Sequence, residues 1–244
     1  MKKFTTLATC LISTYFLFAQ KTIPEFGKID LSDLQLKSCS FEPDAPALKL
    51  FDVQDVEFKV DPYSSRLITE RRVRIKIFNQ EGYKFASVKI PYYSKRGVTK
   101  MKDLGGVVYS LDATGNITIQ KLEKKDFFKE KSEQNLGILN FTFPNLKPGS
   151  IVEFRYTKIE KNLIDIDPWT AQDEIPTQYT SITIKMPIFS SIREKIYGLD
   201  SIVKKSVVNN FNANWTQHSY YGENIRSFRA EPFMIDEIVL RRRK

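Results

Sequence analysis

Groups that carry metal and nucleophilic chemistry are scarce in this sequence. Its 244 residues include one histidine, His218, and two cysteines, Cys10 and Cys39. A closed zinc site needs four nitrogen or sulfur ligands, so these residues exclude one. The sequence also lacks the Gly-x-Gly-x-x-Gly and Gly-Lys-Ser/Thr patterns that bind dinucleotides and phosphates. We therefore expect neither a closed zinc site nor a nucleotide site built on either of these two motifs.

A long apolar run is found at the N-terminus. Two lysines follow Met1, and residues 4–19 are apolar apart from serine, threonine and Cys10. This run is shorter than the roughly 20 residues of a membrane-spanning helix. It predicts a signal peptide over residues 1–19, cleaved after Ala19, and therefore a protein of the periplasm or cell surface. An uncleaved anchor or a lipid attachment is the alternative.

Cleavage would leave too few cysteines for an internal disulfide. Cys39 would be the single cysteine of the remaining 225 residues. A chain of this length can bury a substantial core, so packing is expected to provide its stability. Loss of Lys2 and Lys3 lowers the count of lysine and arginine from 38 to 36 against 29 acidic residues, and the net charge from +9 to +7.

The excess positive charge is arranged as in a half-solvated sheet. Arg72, Arg74 and Lys76 alternate with Val73, Ile75 and Ile77. Such alternation is typical of a strand with one face in the core and one in water. We therefore predict solvated basic residues, no nucleic-acid partner, and at most a weak contact with an anionic membrane surface.

Short runs with a period of two continue along most of the chain, separated by turn residues. Helical patterns are few, and residues 121–134 indicate a loop with about one helical turn. We predict a mainly β fold, an antiparallel β-sandwich with few short helices, over residues 48–236. Residues 20–47 are predicted to form an extended N-terminal arm, and residues 237–244 a basic C-terminal tail.

Two prolines mark predicted strand boundaries and turns. Pro91 lacks a backbone donor and is expected to end the strand before it. Pro148 and Gly149 stand between two alternating runs, where a type II turn would place glycine at a positive φ angle.

A thiol enzyme is one possible chemistry. It needs a cysteine, a histidine that lowers the pKa of the thiol, and a third group that orients the histidine. Cys39, His218 and Asp236 provide these residue types. However, Cys39 follows neither a glycine-rich turn nor a helix start, so we favour a buried structural thiol and a structural or surface histidine.

An acidic segment raises the possibility of a calcium site. Asp165, Asp167, Asp173 and Glu174 fall within ten residues, and calcium prefers several carboxylate oxygens. The glycine and terminal glutamate of a helix-loop-helix calcium loop are missing. We therefore favour a solvated acidic loop and predict no metal or other cofactor.

Trp169 and Trp215 could line a groove for a sugar or a peptide, because indole rings give broad contact surfaces. We favour packing in the core for both residues.

Several stretches together resemble a bacterial family, the domain of unknown function 3857. The resemblance extends over about residues 35–235 and rests on six stretches in this order: FEPDAPALKLFD (41–52), RRVRIKIFNQEG (71–82), VKIPY (88–92), FPNLKPGSIVEF (143–154), WTAQ (169–172) leading to Pro176, and AEPFM (230–234). The resemblance implies an N-terminal β-sandwich of the kind that commonly precedes a transglutaminase-like core.

No catalytic residue follows from this resemblance, because no stretch of the chain matches the catalytic core. We expect a non-catalytic exported module that binds or positions an envelope protein or a polysaccharide. Two alternatives remain open at this point. One is a thiol hydrolase that uses Cys39 and His218, and the other is a remnant of a larger transglutaminase-like protein.

Overall fold

β-strands make up more than half of the residues that the structure describes. The computed structural model describes residues 22–94, 98–131, 135–161, 166–194 and 203–228. The strands in these ranges are β1 (Ala47–Asp61), β2 (Ser64–Ile77), β3 (Ser87–Tyr93), β4 (Thr99–Leu111), β5 (Ile117–Lys121), β6 (Phe128–Lys131), β7 (Leu136–Thr142), β8 (Ile151–Lys161), β9 (Thr177–Pro187), β10 (Lys204–Asn210) and β11 (Trp215–Ile225). The helices are α1 (Leu31–Gln35) and the 3-10 helices Gln80–Ala86 and Lys124–Asp126. The mainly β fold with few short helices is confirmed. None of these helices is long and apolar enough to cross a membrane.

The strands form two sheets. The large sheet has eight strands in the order β10-β11-β9-β1-β2-β8-β4-β5, and the small sheet has three in the order β3-β7-β6. The predicted antiparallel pairing holds for every neighbouring pair but one, because β1 and β9 run parallel.

The small sheet packs on one face of the large sheet, which we call the core face. Val73 and Ile75 of β2 meet Leu139 and Phe141 of β7 there, and all four side chains are buried. Burying a side chain of this size stabilises the fold by about 1.5–3 kcal/mol. The apolar half of each alternating run therefore forms the centre of the sandwich.

The turn between β7 and β8 has the predicted type II geometry. Gly149 has a φ angle of +90°, and the Ser150 N–H donates to the Lys147 carbonyl at 2.9 Å. Proline at the second turn position and glycine at the third suit this turn.

Two local predictions were wrong. Pro91 lies within β3 and does not end it. β3 is an edge strand of the small sheet, and an edge strand tolerates proline where no neighbouring strand needs the missing N–H. Residues 121–134 contain the strand β6 in addition to the predicted helical turn. β6 was missed because its four residues, Phe-Lys-Glu-Lys, include one apolar side chain.

Residues 22–46, here called the N-terminal arm, cover the opposite face of the large sheet, the arm face. They include α1 and several turns, so the arm is less extended than predicted. Leu34, Cys39 and Ala45 of the arm pack with Leu48 and Tyr179 of the sheet in a second hydrophobic cluster. The centre of the large sheet is therefore covered on both faces. The predicted signal peptide and basic tail lie outside the described residues.

Candidate functional site

The basic stripe of β2 lies on the arm face, and the prediction that it is solvated was wrong. The side chains of Arg74 and Lys76 are buried, with 0% exposure, and Arg72 is largely buried. Alternation correctly placed these residues opposite the core face. It could not show that the arm covers them.

A buried glutamate forms ion pairs with two of these cations. Glu153 of β8 stands directly opposite Arg74 in the sheet and has 0% exposure. Its carboxylate accepts hydrogen bonds from Arg72 Nε at 2.6 Å and from an Arg74 guanidinium nitrogen at 3.1 Å. The Tyr109 hydroxyl donates a third at 2.7 Å. Partners on both neighbouring strands thus compensate the cost of removing this carboxylate from water.

The arm supplies most of the remaining partners of the stripe. Arg74 donates to Asp33 at 3.3 Å and to the Lys28 carbonyl. Lys76 Nζ donates to the Leu34 carbonyl at 2.6 Å and to the Gly149 carbonyl at 2.7 Å. We call Asp33, Arg72, Arg74, Lys76, Tyr109 and Glu153 the arm-face cluster. Because carbonyls of the arm accept from its cations, the cluster joins the arm to the sheet.

Aromatic rings complete the surroundings of the two arginines. The Phe51 ring centroid lies 5.2 Å from the Arg72 guanidinium carbon and 5.1 Å from that of Arg74. The Phe26 ring of the arm lies 5.8 Å from Arg72 and 4.4 Å from Arg155. Such cation–π contacts favour guanidinium groups that have lost part of their hydration.

Burial changes the proton affinity of two members of the arm-face cluster. Burial, together with the nearby charge of Lys37, lowers the pKa of Lys76 to about 8. The charge of Asp33 opposes this change. Burial and the hydrogen bond to Glu153 raise the pKa of Tyr109. Lys76 is held by two carbonyl oxygens, and no carboxylate in the described residues forms an ion pair with it. It is the weakly compensated charge of the cluster.

A second ionic cluster lies on the core face, beside the small sheet. Arg71 donates two hydrogen bonds to the Asp52 carboxylate, at 2.9 and 2.7 Å. Lys49 bridges Asp52 at 3.3 Å and Asp173 at 2.5 Å. Burial alone would raise the pKa of Asp52, but Arg71 and Lys49 outweigh it and lower the pKa. These residues line a cavity of about 240 Å³.

The acidic segment does not gather its carboxylates. Asp173 and Asp167 form ion pairs with buried lysines of the sheet, Lys49 and Lys158, and Glu174 pairs with Lys84 at 3.1 Å. Asp165 lies outside the described residues. Within the described ranges no three carboxylate, histidine or cysteine side chains could hold a metal ion. These three carboxylates remain 44–68% exposed, and Asp167 and Asp173 also anchor the loop to the sheet.

The structure does not bring Cys39 and His218 together. Cys39 belongs to the second hydrophobic cluster, which also contains Tyr179 and lies on the arm face. His218 pairs with Ile184, and opposite residues of two paired strands share a face. Tyr179 and Ile184 are an odd number of positions apart in β9, so they point to opposite faces. The third residue, Asp236, lies outside the described residues.

The environments of the two residues also differ from those of a catalytic pair. Cys39 has 0% exposure, and its burial raises the pKa of the thiol, although backbone hydrogen bonds from Phe41 and Glu42 oppose this. His218 Nδ1 is buried without a hydrogen-bond partner. A reactive cysteine needs a lowered pKa and access to solvent, which Cys39 lacks.

The tryptophans differ in their surroundings. Trp169 packs against the apolar cluster around Ile182 and Ile184, and its indole N–H donates to Thr180 at 3.1 Å. Trp215 is partly buried, with the Lys185 ammonium 5.3 Å from its ring. The core role that we favoured is thus seen for Trp169.

The outer strand β10 of the large sheet is exposed and carries two neighbouring apolar residues. Residues 204–209 are all exposed, with 47% for Val207 and 52% for Val208. Phe211, in the turn that follows, is 78% exposed. β11 pairs with one side of β10, and no other described strand pairs with the opposite side.

Two packed sheets, ionic clusters with internal partners and an exposed sheet edge define a β domain. The family model of a domain of unknown function with a solved structure, DUF3857, matches residues 64–217. The chain therefore belongs to the DUF3857 family, as the six stretches suggested.

Two solved structures are similar to this chain at low sequence identity. A candidate protease from Parabacteroides distasonis has a TM-score of 0.59 and 14% identity, over 79% of this chain and 38% of that one. A candidate nutrient-binding protein from Legionella pneumophila has a TM-score of 0.35 and 10% identity, over 77% of this chain and 65% of that one. Comparison with curated proteins gives no match. The chain thus spans well under half of the Parabacteroides protein, which shares its fold.

The lowered pKa of Lys76 predicts how the stability of the protein depends on pH. Its pKa is about 8 in the folded protein and about 10.5 when unfolded, so between these values the unfolded state binds an extra proton. The free energy of unfolding should therefore rise from pH 8 to 10.5, by up to about 3 kcal/mol, relative to a Lys76→Met variant. Urea unfolding of both proteins across this range measures the difference.

The control for this series is Lys89→Met, which removes an exposed lysine of β3. The free energy of unfolding of this variant should change with pH in the same way as that of the unmodified protein. A Lys76→Met difference that stays constant with pH would contradict a lowered pKa at Lys76.

The placement of Cys39 predicts slow alkylation. In the native protein, iodoacetamide should label Cys39 much more slowly than free cysteine at pH 7.5, because the thiol is buried. His218→Ala should leave this rate unchanged, and unfolding in urea should remove the protection. Mass spectrometry follows the labelling. Rapid labelling that depends on His218 would instead support a thiol hydrolase.

Proposed function

We propose that the protein is a non-catalytic exported module that binds an envelope protein at the edge of its large sheet. The single observation that carries this proposal is the exposure of β10 and its valines. The strand offers backbone N–H and carbonyl groups on its outer side, which a strand from a partner can pair with. A protein partner fits this edge better than a polysaccharide, since a sugar chain cannot continue a β-ladder.

Side chains on both faces of β10 support strand addition. Val207 and Val208 are neighbours in the strand and point to opposite faces of the sheet. A partner strand placed beside β10 would therefore cover apolar surface above and below the new ladder. Natural proteins usually protect such an edge with charges, prolines or bulges. Here Lys204 and Lys205 stand at one end, and the centre is apolar.

A non-catalytic role is consistent with how the ionisable groups are used. Glu153, Asp52 and Lys158 all have partners within the fold, and Cys39 is buried. Export is proposed from the signal-peptide pattern of residues 1–19. The Parabacteroides protein contains the same fold within a longer chain, which supports a role beside a further domain. A transglutaminase-like domain is one such neighbour that the family resemblance implies.

Capture from an envelope extract tests this proposal. Residues 20–244 would serve as bait at low salt and at 0.5 M salt, because strand addition should survive screening that removes charge-driven contacts. We expect one protein to be retained at both salt concentrations. A Val207→Lys, Val208→Lys bait should lose it, since lysines on an edge oppose strand pairing.

The matched control is Ile119→Lys on β5, the opposite edge of the large sheet, where Ile119 is 51% exposed. This bait should retain the partner. Equal loss with both baits, or a partner retained by the β10 variant, would contradict binding at β10. Retention of polysaccharide without protein would favour the alternative partner class.

A further inference from the structure

A groove with an apolar floor and a basic rim lies at the other side of the molecule, next to β5. Four apolar side chains line it, Met101, Leu104, Leu122 and Phe127, and all pack against the central core. Its rim carries Lys102, Asp103 and Lys124, and its volume is about 400 Å³. Sites for small molecules commonly have such a volume, a mostly apolar lining and few polar groups.

A bulge in β4 forms one wall of the groove. The pairing of β4 with β8 shifts between Lys102 and Gly105, and Asp103 has a φ angle of 50°. Aspartate is one of the few residues that adopt this left-handed region. A bulge re-aims the side chains around it and often lies next to a binding site. Here it brings Lys102 and Asp103 to the rim.

Close packing fixes the other wall. The Leu122 N–H donates to the Gly106 carbonyl at 2.8 Å, and a Cβ atom at Gly106 would lie 2.4 Å from the Leu122 side chain. The Asp126 carboxylate accepts from the Glu123 N–H at 2.7 Å and caps the short helix that carries Lys124. The Phe127 ring lies 5.0 Å from that of Phe141 in the core. The groove is therefore preformed.

The charge of the rim selects the ligand. Neither Lys102 nor Lys124 forms an ion pair with any described residue, whereas the buried lysines Lys49 and Lys158 each pair with two carboxylates. Asp103 supplies one negative charge, so the rim has a net charge of +1. Two unpaired ammonium groups above an apolar floor complement an apolar body that carries one anionic group.

We propose that this groove binds an amphipathic anion, with its apolar body on the floor and its carboxylate, sulfonate or phosphate group between Lys102 and Lys124. The site is separate from the β10 edge and does not depend on binding there. Its ligand is a small molecule, in contrast to the protein partner proposed for β10.

Two fluorescent probes that differ by one anionic group test this proposal. Anilinonaphthalene sulfonate carries the sulfonate, and N-phenylnaphthylamine has the same aromatic body without it. We expect the sulfonate to bind at one site and more tightly than the neutral probe. A Lys102→Gln, Lys124→Gln variant should bind the sulfonate about three- to tenfold more weakly and the neutral probe equally well, because exposed ion pairs each contribute modestly.

Three further variants locate the site. Asp103→Asn should tighten sulfonate binding, since it removes the repelling charge and asparagine also tolerates a positive φ angle. Leu104→Gln should weaken both probes. The matched control, Lys89→Gln with Lys147→Gln, removes two exposed lysines elsewhere and should change neither.

Circular dichroism should show that each variant retains the native fold. Sulfonate binding that is absent, that equals binding of the neutral probe, or that responds equally to the control pair would overturn the proposal. So would a Leu104→Gln variant that binds both probes as the unmodified protein does.

Discussion

The contact between Arg74 and Glu153 is the interaction on which the arm face depends. These residues stand opposite each other on two central strands, and neither is exposed. A buried carboxylate or guanidinium is tolerated when its charge and hydrogen bonds are satisfied. Arg72 and Tyr109 donate to Glu153, and Asp33 and the Lys28 carbonyl of the arm accept from the terminal nitrogens of Arg74. The sheet therefore requires the arm, which explains why a segment with little regular structure packs as part of the domain.

This dependence has consequences for the limits of the domain. The family match begins at residue 64, yet Asp33 and the carbonyls of Lys28 and Leu34 bind cations within the matched region. A fragment that began at residue 64 would expose Arg74 and Lys76 and would lose the strand β1. The functional surfaces that we propose, the β10 edge and the groove beside β5, lie away from this cluster. Stability and recognition thus involve different parts of the large sheet.

The alternation of apolar and polar residues was sufficient to predict the fold class, because it determines which side chains share a face. It predicted the core role of Val73 and Ile75, and the Pro148-Gly149 pair predicted the turn. It could not predict the burial of Arg74 and Lys76, since a polar face can meet water or a covering segment with the same pattern. The groove was also beyond prediction, because it depends on a bulge at Asp103 and on the packing of Leu122, which only the pairing of strands reveals.

A double-mutant cycle on the free energy of unfolding tests the central interaction most directly. Arg74→Met and Glu153→Gln should each destabilise the protein by about 3–5 kcal/mol, because each removes one charged partner from a buried ionic group. The double variant should be destabilised by less than the sum, with a coupling energy of about 1–3 kcal/mol. Purely additive effects would contradict the account, since they would mean that Arg74 and Glu153 stabilise the fold independently.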